Sequence, residues 1–453
     1  MNKEYLILQQ SSNLQGTVNV SGAKNAVLVI IISLILTRGK STLHHVPNSA
    51  DVLILLHVLQ KLGALVEFDT EDKILRVDTN SINSYAIEPE IMNKMRASIL
   101  FMGPLLGRFG KAHVALPGGD LIGARPINYH LQGFKKLGVQ ITEKRPFIEA
   151  CLQTEQSDQP VRIVLEYPSV GATENLIMFA AARAGETVII NAAIEPEVLD
   201  LIDVLKKMGA NITCYPGLMI KIIGVATLNP ITHAIIPDRI ETGSLLLAAA
   251  ITKGSIKLPN ARADHLDMFL EKLKEMGHTV KTGTNPTDDY PLQGISLYAC
   301  QNPRALSIKT GTYPGFPTDL QPLMMTALCL ANGTSTIEET VFENRFIHVK
   351  ELQKMGAEIA INGSVATIRR VDSFYGCEVI ANDIRASCAL ALAGLVAVGE
   401  TKMTGIYHWK RGYDQLEKKL AHLGANITLV EHEQQEIIVS MAPCLQTTQK
   451  PLE

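Results

Sequence analysis

The sequence predicts an α/β protein of two similar domains, because one unit repeats along the chain, each unit holds two kinds of helix, and short strands lie between them. The phrase that recurs is the last turn of an amphipathic helix, a glycine in the left-handed conformation and then a strand. Its six glycines are Gly63, Gly138, Gly209, Gly277, Gly356 and Gly424. Recurrence of this kind indicates a repeated supersecondary unit.

An almost wholly apolar helix precedes each of these phrases. The first copy contains 26-AVLVIIISLIL-36, and the others are MRASILFMGPLLGRFG, ATENLIMFAAARAG, RIETGSLLLAAAITKG, PTDLQPLMMTALCLANG and IRASCALALAGLVAVG. A helix that is apolar all round must be buried, whereas an amphipathic helix faces solvent on one side. Runs such as STLHHV and VIINAA predict the strands between them. Three units per domain would form two globules, and the cleft between them is the natural ligand site.

The composition is that of an ordinary globular protein and excludes several classes. A chain of 453 residues predicts two domains or more, and a net charge of −3 gives no overall attraction to nucleic acid or to an anionic membrane. The run 26–36 is too short to cross a bilayer, and the first residues lack the apolar core of a signal peptide. The seven cysteines include no CxxC pair. We therefore expect a cytoplasmic protein without a disulfide framework or a zinc site.

Charged and polar residues at the starts of the apolar helices are the first candidates for chemistry. They are Lys24, Asn25, Arg96, Thr173, Glu174, Arg239, Glu241, Asp319 and Arg385. A helix N-terminus favours anions through its free N–H groups and its dipole, and a Lys or Arg there strengthens that preference. Lys24, Arg96 and Arg385 are therefore interpreted as anion ligands. Glu174 and Glu241 are interpreted as helix caps or solvated charges.

Three further stretches carry candidate ligands. The stretches 341-VFENRF-346 and 408-HWKRGYD-414 add Arg345 and Arg411 beside aromatic residues, and 166-EYPSVGATEN-175 holds a turn that opens a helix and offers N–H groups to a phosphate. The chain contains no Walker loop, no GxGxxG fingerprint and no HExxH motif, so nucleotide hydrolysis and metal catalysis lack their usual parts. We predict no metal and no cofactor.

The loop 116-LPGGDLIGARP-126 places Asp120 beside a glycine pair, before Arg125. Such an acid and base form either a surface ion pair or a proton donor and an anion clamp. The residues alone favour the ion pair, because most charges on loops are solvated.

Taken together, these stretches resemble the enolpyruvyl transferase family. The matching motifs are 21-SGAKNA-26, 95-MRAS-98, 117-PGGDLIGARP-126, 168-PSVGATEN-175, 237-PDRIETG-243, 316-FPTDLQ-321, 340-TVFENRF-346 and 407-YHWKRGYD-414. The resemblance implies two inside-out α/β domains, each of three βαβαββ-like units, with the active site in the interdomain cleft. The first domain would span residues 23–234, the second residues 1–22 with 235–443, and residues 444–453 would be a flexible tail.

The resemblance also implies a reaction. The enolpyruvyl group of phosphoenolpyruvate would move to the 3-hydroxyl of UDP-N-acetylglucosamine by addition and elimination, with release of phosphate, as the first committed step of peptidoglycan synthesis. No cofactor, nucleic acid or membrane would take part. Two alternatives stay open: a different acceptor sugar, and a catalytically silent relative that senses UDP-sugars.

Family position assigns roles to individual residues. The predicted phosphoenolpyruvate ligands are Lys24, Asn25, Arg125, Arg345, Arg385 and Arg411. The predicted ligands of UDP-N-acetylglucosamine are Arg96, Arg125, Pro126, Ile127, Asn128, Tyr129, Ser169, Val170, Gly171, Asp319 and Val341. The predicted catalytic residues are Asp120, Asp319, Lys24 and Arg411, with Asp319 as the general base near the 3-hydroxyl. Asn128 replaces the aspartate that is usual in the family, so hydrogen bonding is kept and a charge is lost.

Asp120 stands where many members of the family have a cysteine that donates a proton to the vinyl carbon. An ordinary aspartate has a pKa of about 3.9, so the pKa of Asp120 would have to rise by about 3, or roughly 4 kcal/mol, for it to donate near pH 7. Arg125 would oppose this rise in pKa, whereas burial and the negative charge of bound substrate would favour it. A carboxylate is also a poorer nucleophile towards an epoxide than a thiol, which predicts insensitivity to fosfomycin.

Overall fold

A computed structural model describes residues 4–87, 96–116, 123, 127–153, 160–287 and 289–431, except for the side chains of residues 96 and 97. Two separate apolar cores organise these residues. One core draws on residues 23–235, and the other draws on residues 6–20 together with residues 240–427. The N-terminal residues therefore pack with the second half of the chain.

The apolar helices lie where the sequence predicts them. They are α1 (Lys24–Ser33), α3 (Met102–Phe109), α5 (Val170–Ala182), α7 (Arg239–Ile251), α9 (Gln321–Leu328) and α11 (Ile384–Val396). Short 3-10 turns adjoin three of them, at Leu34–Leu36, Arg96–Phe101 and Thr318–Leu320. The run 26–36 is buried apart from its half-buried last residue, as an almost wholly apolar helix requires.

The second set of helices is amphipathic. They are α2 (Ala50–Leu62), α4 (Asn128–Lys136), α6 (Pro196–Lys207), α8 (Asp267–Glu275), α10 (Val349–Lys354) and α13 (Leu416–His422). The glycines that follow them have φ between +84° and +108°, which confirms the predicted left-handed conformation. One more short helix, α12 (Ile406–Gly412), carries most of the motif 407–414. None of the helices in the described ranges is long and apolar enough to cross a membrane.

The strands form small mixed sheets. Those of the first half are β3 (Lys40–His44), β4 (Leu65–Asp69), β5 (Ile74–Asp78), β6 (Lys111–Ala115), β7 (Val139–Lys144), β8 (Phe147–Leu152), β9 (Val161–Val164), β10 (Glu186–Ile190), β11 (Asn211–Tyr215), β12 (Met219–Ile223) and β13 (Thr232–Ala234). The remaining strands are β1 (Tyr5–Gln9), β2 (Gln15–Thr17), β14 (Ser255–Arg262), β15 (Thr279–Thr282), β16 (Gln293–Tyr298), β17 (Ser307–Lys309), β18 (Thr334–Glu338), β19 (Glu358–Asn362), β20 (Val365–Arg369), β21 (Glu378–Ile380), β22 (Glu400–Thr404) and β23 (Ile427–Val430).

One topology recurs in these sheets. The strand that follows an apolar helix pairs in parallel with an edge strand on one side and antiparallel with the next strand on the other, as in the orders β9-β10-β12-β11 and β17-β18-β20-β19. The three-stranded sheet β6-β8-β7 keeps the pattern through a parallel bridge from Ala86 to His113. The predicted α/β fold of repeated units is thus confirmed.

Strands from distant parts of the chain complete three of the sheets. The strand β13 supplies the edge of the sheet of β3, β5 and β4, and β2 supplies the edge of the sheet of β14, β16 and β15. The strand β1 lies between β22 and β23. Through these pairings, the N-terminal strands and the strand that connects the two halves become part of the repeated units. The pairings therefore help to set the positions of the helix starts.

Candidate active site

The first residues of α1 and α7 meet at the carboxylate of Asp238. Its Oδ1 accepts hydrogen bonds from the N–H groups of Ile240 (2.7 Å) and Glu241 (3.1 Å), which makes Asp238 the N-cap of α7. Its Oδ2 accepts the N–H of Lys24 at 3.1 Å. One buried carboxylate therefore ties a helix start of the first half to a helix start of the second.

A second carboxylate joins two of the predicted phosphate ligands. Asp51, in the first turn of α2, lies 3.4 Å from Nζ of Lys24 through Oδ2 and 2.8 Å from Nε of Arg411 through Oδ1. All three residues are buried. Arg411 reaches this position from α12, which packs on α2. The sequence did not single out Asp51, because an acid in the first turn of a helix is ordinary.

The third carboxylate is that of Asp319, which binds two buried arginines. Nη2 of Arg345 lies 2.9 Å from Oδ1 of Asp319, and Nη2 of Arg385 lies 2.8 Å from Oδ2. Asp383 caps α11 and lies 3.6 Å from Arg345. Asp319 itself keeps 27% of its side chain exposed, whereas the side chains of Arg345 and Arg385 are 2% and 5% exposed. The carboxylate of Asp319 is therefore partly exposed above two buried guanidinium groups.

The environment of Asp319 sets its protonation. Burial would raise the pKa of its carboxyl group, but the guanidinium groups of Arg385 and Arg345, and then the ammonium group of Lys24, hold that pKa well below its usual range. The guanidinium group of Arg385 lies 5.7 Å from the ring centre of Tyr413, which directly follows α12 and Arg411, so the cluster around Asp51 and the cluster around Asp319 lie beside each other. The structure thus brings Lys24, Asp319, Arg345, Arg385 and Arg411 to one region, although they come from both halves of the chain.

Glu339 organises the loop that carries Arg345. Its Oε1 accepts hydrogen bonds from the N–H groups of Val341 (2.9 Å) and Phe342 (3.2 Å) and from the hydroxyl of Thr310 (2.9 Å). Its Oε2 accepts the hydroxyl of Thr318, next to Asp319, at 3.0 Å. The sequence analysis did not predict a role for Glu339. The N–H of Val341, a predicted sugar contact, is engaged by Glu339.

The loop of Asp120 reaches the second half of the chain at Gly123. A Cβ added at Gly123 would overlap Oε2 of Glu343, the movable end of that side chain, so Gly123 and Glu343 lie next to each other. The predictions for Asp120, Arg125 and Pro126, and for the side chain of Arg96, fall outside the described residues.

The predicted nucleotide ligands gather at two adjacent helix starts. Ser169 caps α5 and accepts the N–H of Ala172 at 3.4 Å, and Val170 and Gly171 form the first turn. A Cβ added at Gly171 would lie 3.3 Å from the ring of His130, which belongs to α4. Ile127, Asn128 and Tyr129, at the start of α4, therefore lie close to the 169–171 turn. Asn25, the second residue of α1, is exposed.

The interpretation of Glu174 and Glu241 as caps or solvated charges is wrong, because both carboxyl groups are buried. Glu241 pairs with Lys419 and accepts the N–H of Ser21 at 3.0 Å. Burial raises the pKa of Glu174 well above its usual value, and the neighbouring Glu197 and Glu195 add to this. An acidic residue at a helix start can thus contact other parts of the protein, and the hydrophobic periodicity of its helix does not predict those contacts.

Among the described residues, no group of three or more His, Cys, Asp or Glu side chains is placed so that it could hold a metal ion. The described residues offer two groups of buried cations, Lys24 with Arg411 around Asp51 and Arg345 with Arg385 around Asp319 and Asp383, and a pair of helix starts. Such a cleft suits a small molecule with two anionic groups and a second, nucleotide-like molecule.

Comparison with known proteins gives this geometry a context. Residues 8–420 match the family described as EPSP synthase (3-phosphoshikimate 1-carboxyvinyltransferase). The chain is 44% identical over 426 residues to a UDP-N-acetylglucosamine 1-carboxyvinyltransferase of Geobacter metallireducens, which covers 94% of this chain and 99% of the relative. It is also 44% identical to the enzyme of that name from Finegoldia magna, over 95% of this chain and 100% of the relative.

Solved structures share the fold at lower identity. The enolpyruvyl transferase NikO from Streptomyces tendae is 22% identical with a TM-score of 0.83, over 95% of this chain and 100% of that one. An EPSP synthase from Acinetobacter baumannii is 16% identical with a TM-score of 0.72, over 95% of this chain and 100% of that one. These two similarities support the fold alone.

Proposed function

Because the chain belongs to the enolpyruvyl transferase family, we propose that it transfers the enolpyruvyl group of phosphoenolpyruvate to the 3-hydroxyl of UDP-N-acetylglucosamine and releases phosphate. The relatives at 44% identity carry the name of the enzyme with this acceptor, which favours it over shikimate 3-phosphate. The reaction would be the first committed step of peptidoglycan synthesis. The free cysteines among the described residues suit a reducing cytoplasm.

The observation that carries the proposal is the pair of adjacent groups of buried cations supplied by both halves of the chain. Phosphoenolpyruvate has a phosphate at one end and a carboxylate at the other, and each end requires fixed cations in a partly dehydrated cleft. We assign the phosphate to Lys24 and Arg411, with Arg125, and the carboxylate to Arg345 and Arg385. The cluster of Lys24 and Arg411 holds two cations and one acid, so it has a net positive charge for an incoming anion, whereas Arg345 and Arg385 are balanced by Asp319 and Asp383 until a substrate carboxylate competes for them.

The addition step needs a base and an acid. Asp319 would accept the proton of the sugar 3-hydroxyl while the oxygen bonds to the central carbon of phosphoenolpyruvate, and Asp120 would give a proton to the vinyl carbon. With two arginines bound, the lowered pKa of Asp319 makes it a weak base. The substrate carboxylate would compete for Arg345 and Arg385 and so raise the pKa of Asp319 when the base is needed.

The elimination step reverses the proton transfers at the vinyl carbon. That carbon loses a proton, the double bond forms again, and the bond from the central carbon to the phosphate oxygen breaks. Lys24 and Arg411 would neutralise the charge that develops on the leaving phosphate. The products are the enolpyruvyl ether of the sugar nucleotide and inorganic phosphate.

The acceptor would lie along the two helix starts. The N–H groups of Val170 and Gly171, in the first turn of α5, suit the diphosphate, and Asn128 with Tyr129 suits the uridine. Asn25 is exposed at the start of α1, where it would orient the reacting groups.

Phosphate release from phosphoenolpyruvate tests the proposal. We expect release with UDP-N-acetylglucosamine and none with shikimate 3-phosphate or without an acceptor. Binding of UDP-N-acetylglucosamine without phosphate release would instead favour a sensor, and release with another sugar nucleotide alone would favour a different acceptor.

A further inference from the structure

We propose that Asp51 is a positioning residue that holds Lys24 and Arg411 together as one phosphate-binding pair. The identity of the anion rests on the proposed function, whereas the pairing of the two cations rests on the described contacts. Asp51 touches neither substrate in this account. It acts on the phosphate through the two cations.

The geometry gives one carboxylate oxygen to each cation. Oδ1 accepts from Nε of Arg411 at 2.8 Å, and Oδ2 lies 3.4 Å from Nζ of Lys24. The side chains of these three residues are at most 10% exposed. Two cations held this close with little solvent repel each other, and a carboxylate between them offsets that repulsion. Asp51 therefore keeps the cations converged before an anion arrives.

Asp51 also acts across the two halves of the chain. Arg411 lies on α12, and Asp51 lies at the start of α2. A second ion pair, between Lys73 and Asp414, ties the end of the same segment to the first half at 3.1 Å. Lys73 has 30% of its side chain exposed and makes no described contact with Lys24 or Arg411. A substitution of Lys73 therefore tests the link between the halves alone, whereas a substitution of Asp51 also tests the effect on Lys24 and Arg411.

The direction in which phosphate affinity changes when Asp51 is replaced distinguishes two roles for its carboxylate. A positioning carboxylate makes anion binding tighter, because its loss lets Lys24 and Arg411 move apart. A competing carboxylate would make anion binding weaker, because its loss would free both cations. The separation of 3.4 Å favours positioning, since Lys24 can turn to a phosphate while Arg411 stays at 2.8 Å from Asp51.

Calorimetric titration with inorganic phosphate, with and without UDP-N-acetylglucosamine, tests this inference. We expect Asp51→Asn to weaken phosphate binding by on the order of tenfold, because the amide has no charge and turns an NH₂ group or a weaker acceptor towards Lys24. Asp51→Glu, which keeps the charge, should recover part of the affinity. Lys73→Gln, the control at the other link between the halves, should keep the phosphate affinity within about twofold, and it should lower the melting temperature because it leaves the buried Asp414 unpaired.

Trp409 supplies a second readout, because it is the only tryptophan of the chain and lies on α12 beside Arg411. Its fluorescence should change with phosphate at the affinity that calorimetry gives, and melting curves of each variant report folding. Unchanged or tighter phosphate binding in a folded Asp51→Asn variant would overturn the inference, as would an unsubstituted chain that binds no phosphate. A loss of phosphate affinity in a chain that lacks transferase activity would leave the inference standing and reject the proposed function.

Discussion

Replacement of Asp319 by asparagine tests the proposed base together with the two buried guanidinium groups that bind it. The substitution keeps the size of the side chain and removes the charge that faces Arg345 at 2.9 Å and Arg385 at 2.8 Å. At an effective dielectric constant of about 20, each such pair contributes at most about 6 kcal/mol. The exposed part of Asp319, the hydrogen bonds that asparagine retains and the nearby Asp383 reduce the net loss. We expect about 2–3 kcal/mol of lost folding free energy.

The catalytic effect should be larger than the effect on stability. Loss of a general base costs about 10²- to 10⁴-fold in kcat, and we expect a fall of that size in phosphate release dependent on UDP-N-acetylglucosamine. Phosphoenolpyruvate should raise the melting temperature of Asp319→Asn more than that of the unsubstituted chain, because its carboxylate supplies the missing counter-charge.

A matched control is Asp264→Asn, which removes another aspartate that binds an arginine through both oxygens, Arg262 at 2.9 and 2.5 Å. It should leave kcat within about twofold, because it changes a partly exposed ion pair. A folded Asp319→Asn variant with more than a tenth of the original kcat would refute the assignment of Asp319 as the base.

Three more predictions extend the account. Asp120→Cys should create sensitivity to fosfomycin, and rapid covalent labelling of the unsubstituted chain by fosfomycin would contradict the predicted insensitivity. Gly123→Ala should lower kcat/KM by less than about tenfold, because the new Cβ would meet only the movable carboxylate end of Glu343; a larger loss would show that the position of this carboxylate matters for turnover. The raised pKa of Glu174 means that its contribution to stability is present below its unfolded pKa and is lost as the pH rises through its folded pKa, so Glu174→Gln should lose less melting temperature between pH 6 and pH 9 than the unsubstituted chain. An equal loss in both chains would contradict that origin.

Much of the fold follows from local patterns. The recurring glycines predict the left-handed helix ends, which all have positive φ, and the apolar runs predict buried helices. The strands β1, β2 and β13 could not be placed, because their partners lie far along the chain and short strands carry little pattern of their own. Pairing of this kind is a property of the assembled sheets.

The residues of the candidate site also include some that local sequence patterns predict and some that they do not. Cations at helix starts, such as Lys24 and Arg385, attract notice because a buried helix does not need them. The sequence does not predict a role for Asp51 or Glu339, because an acidic residue near a helix start or after a strand is common. Their importance comes from contacts with residues of other segments. Glu241 was misread for the same reason, since its partner Lys419 comes from the far end of the chain.

A crystal structure with UDP-N-acetylglucosamine and phosphoenolpyruvate would show which residues bind each end of phosphoenolpyruvate. We expect the phosphate within hydrogen-bond distance of Lys24 and Arg411, the carboxylate on Arg345 and Arg385, and the sugar 3-hydroxyl next to Asp319. Phosphoenolpyruvate bound away from these residues, or a sugar with its 3-hydroxyl turned away from Asp319, would contradict the proposed site.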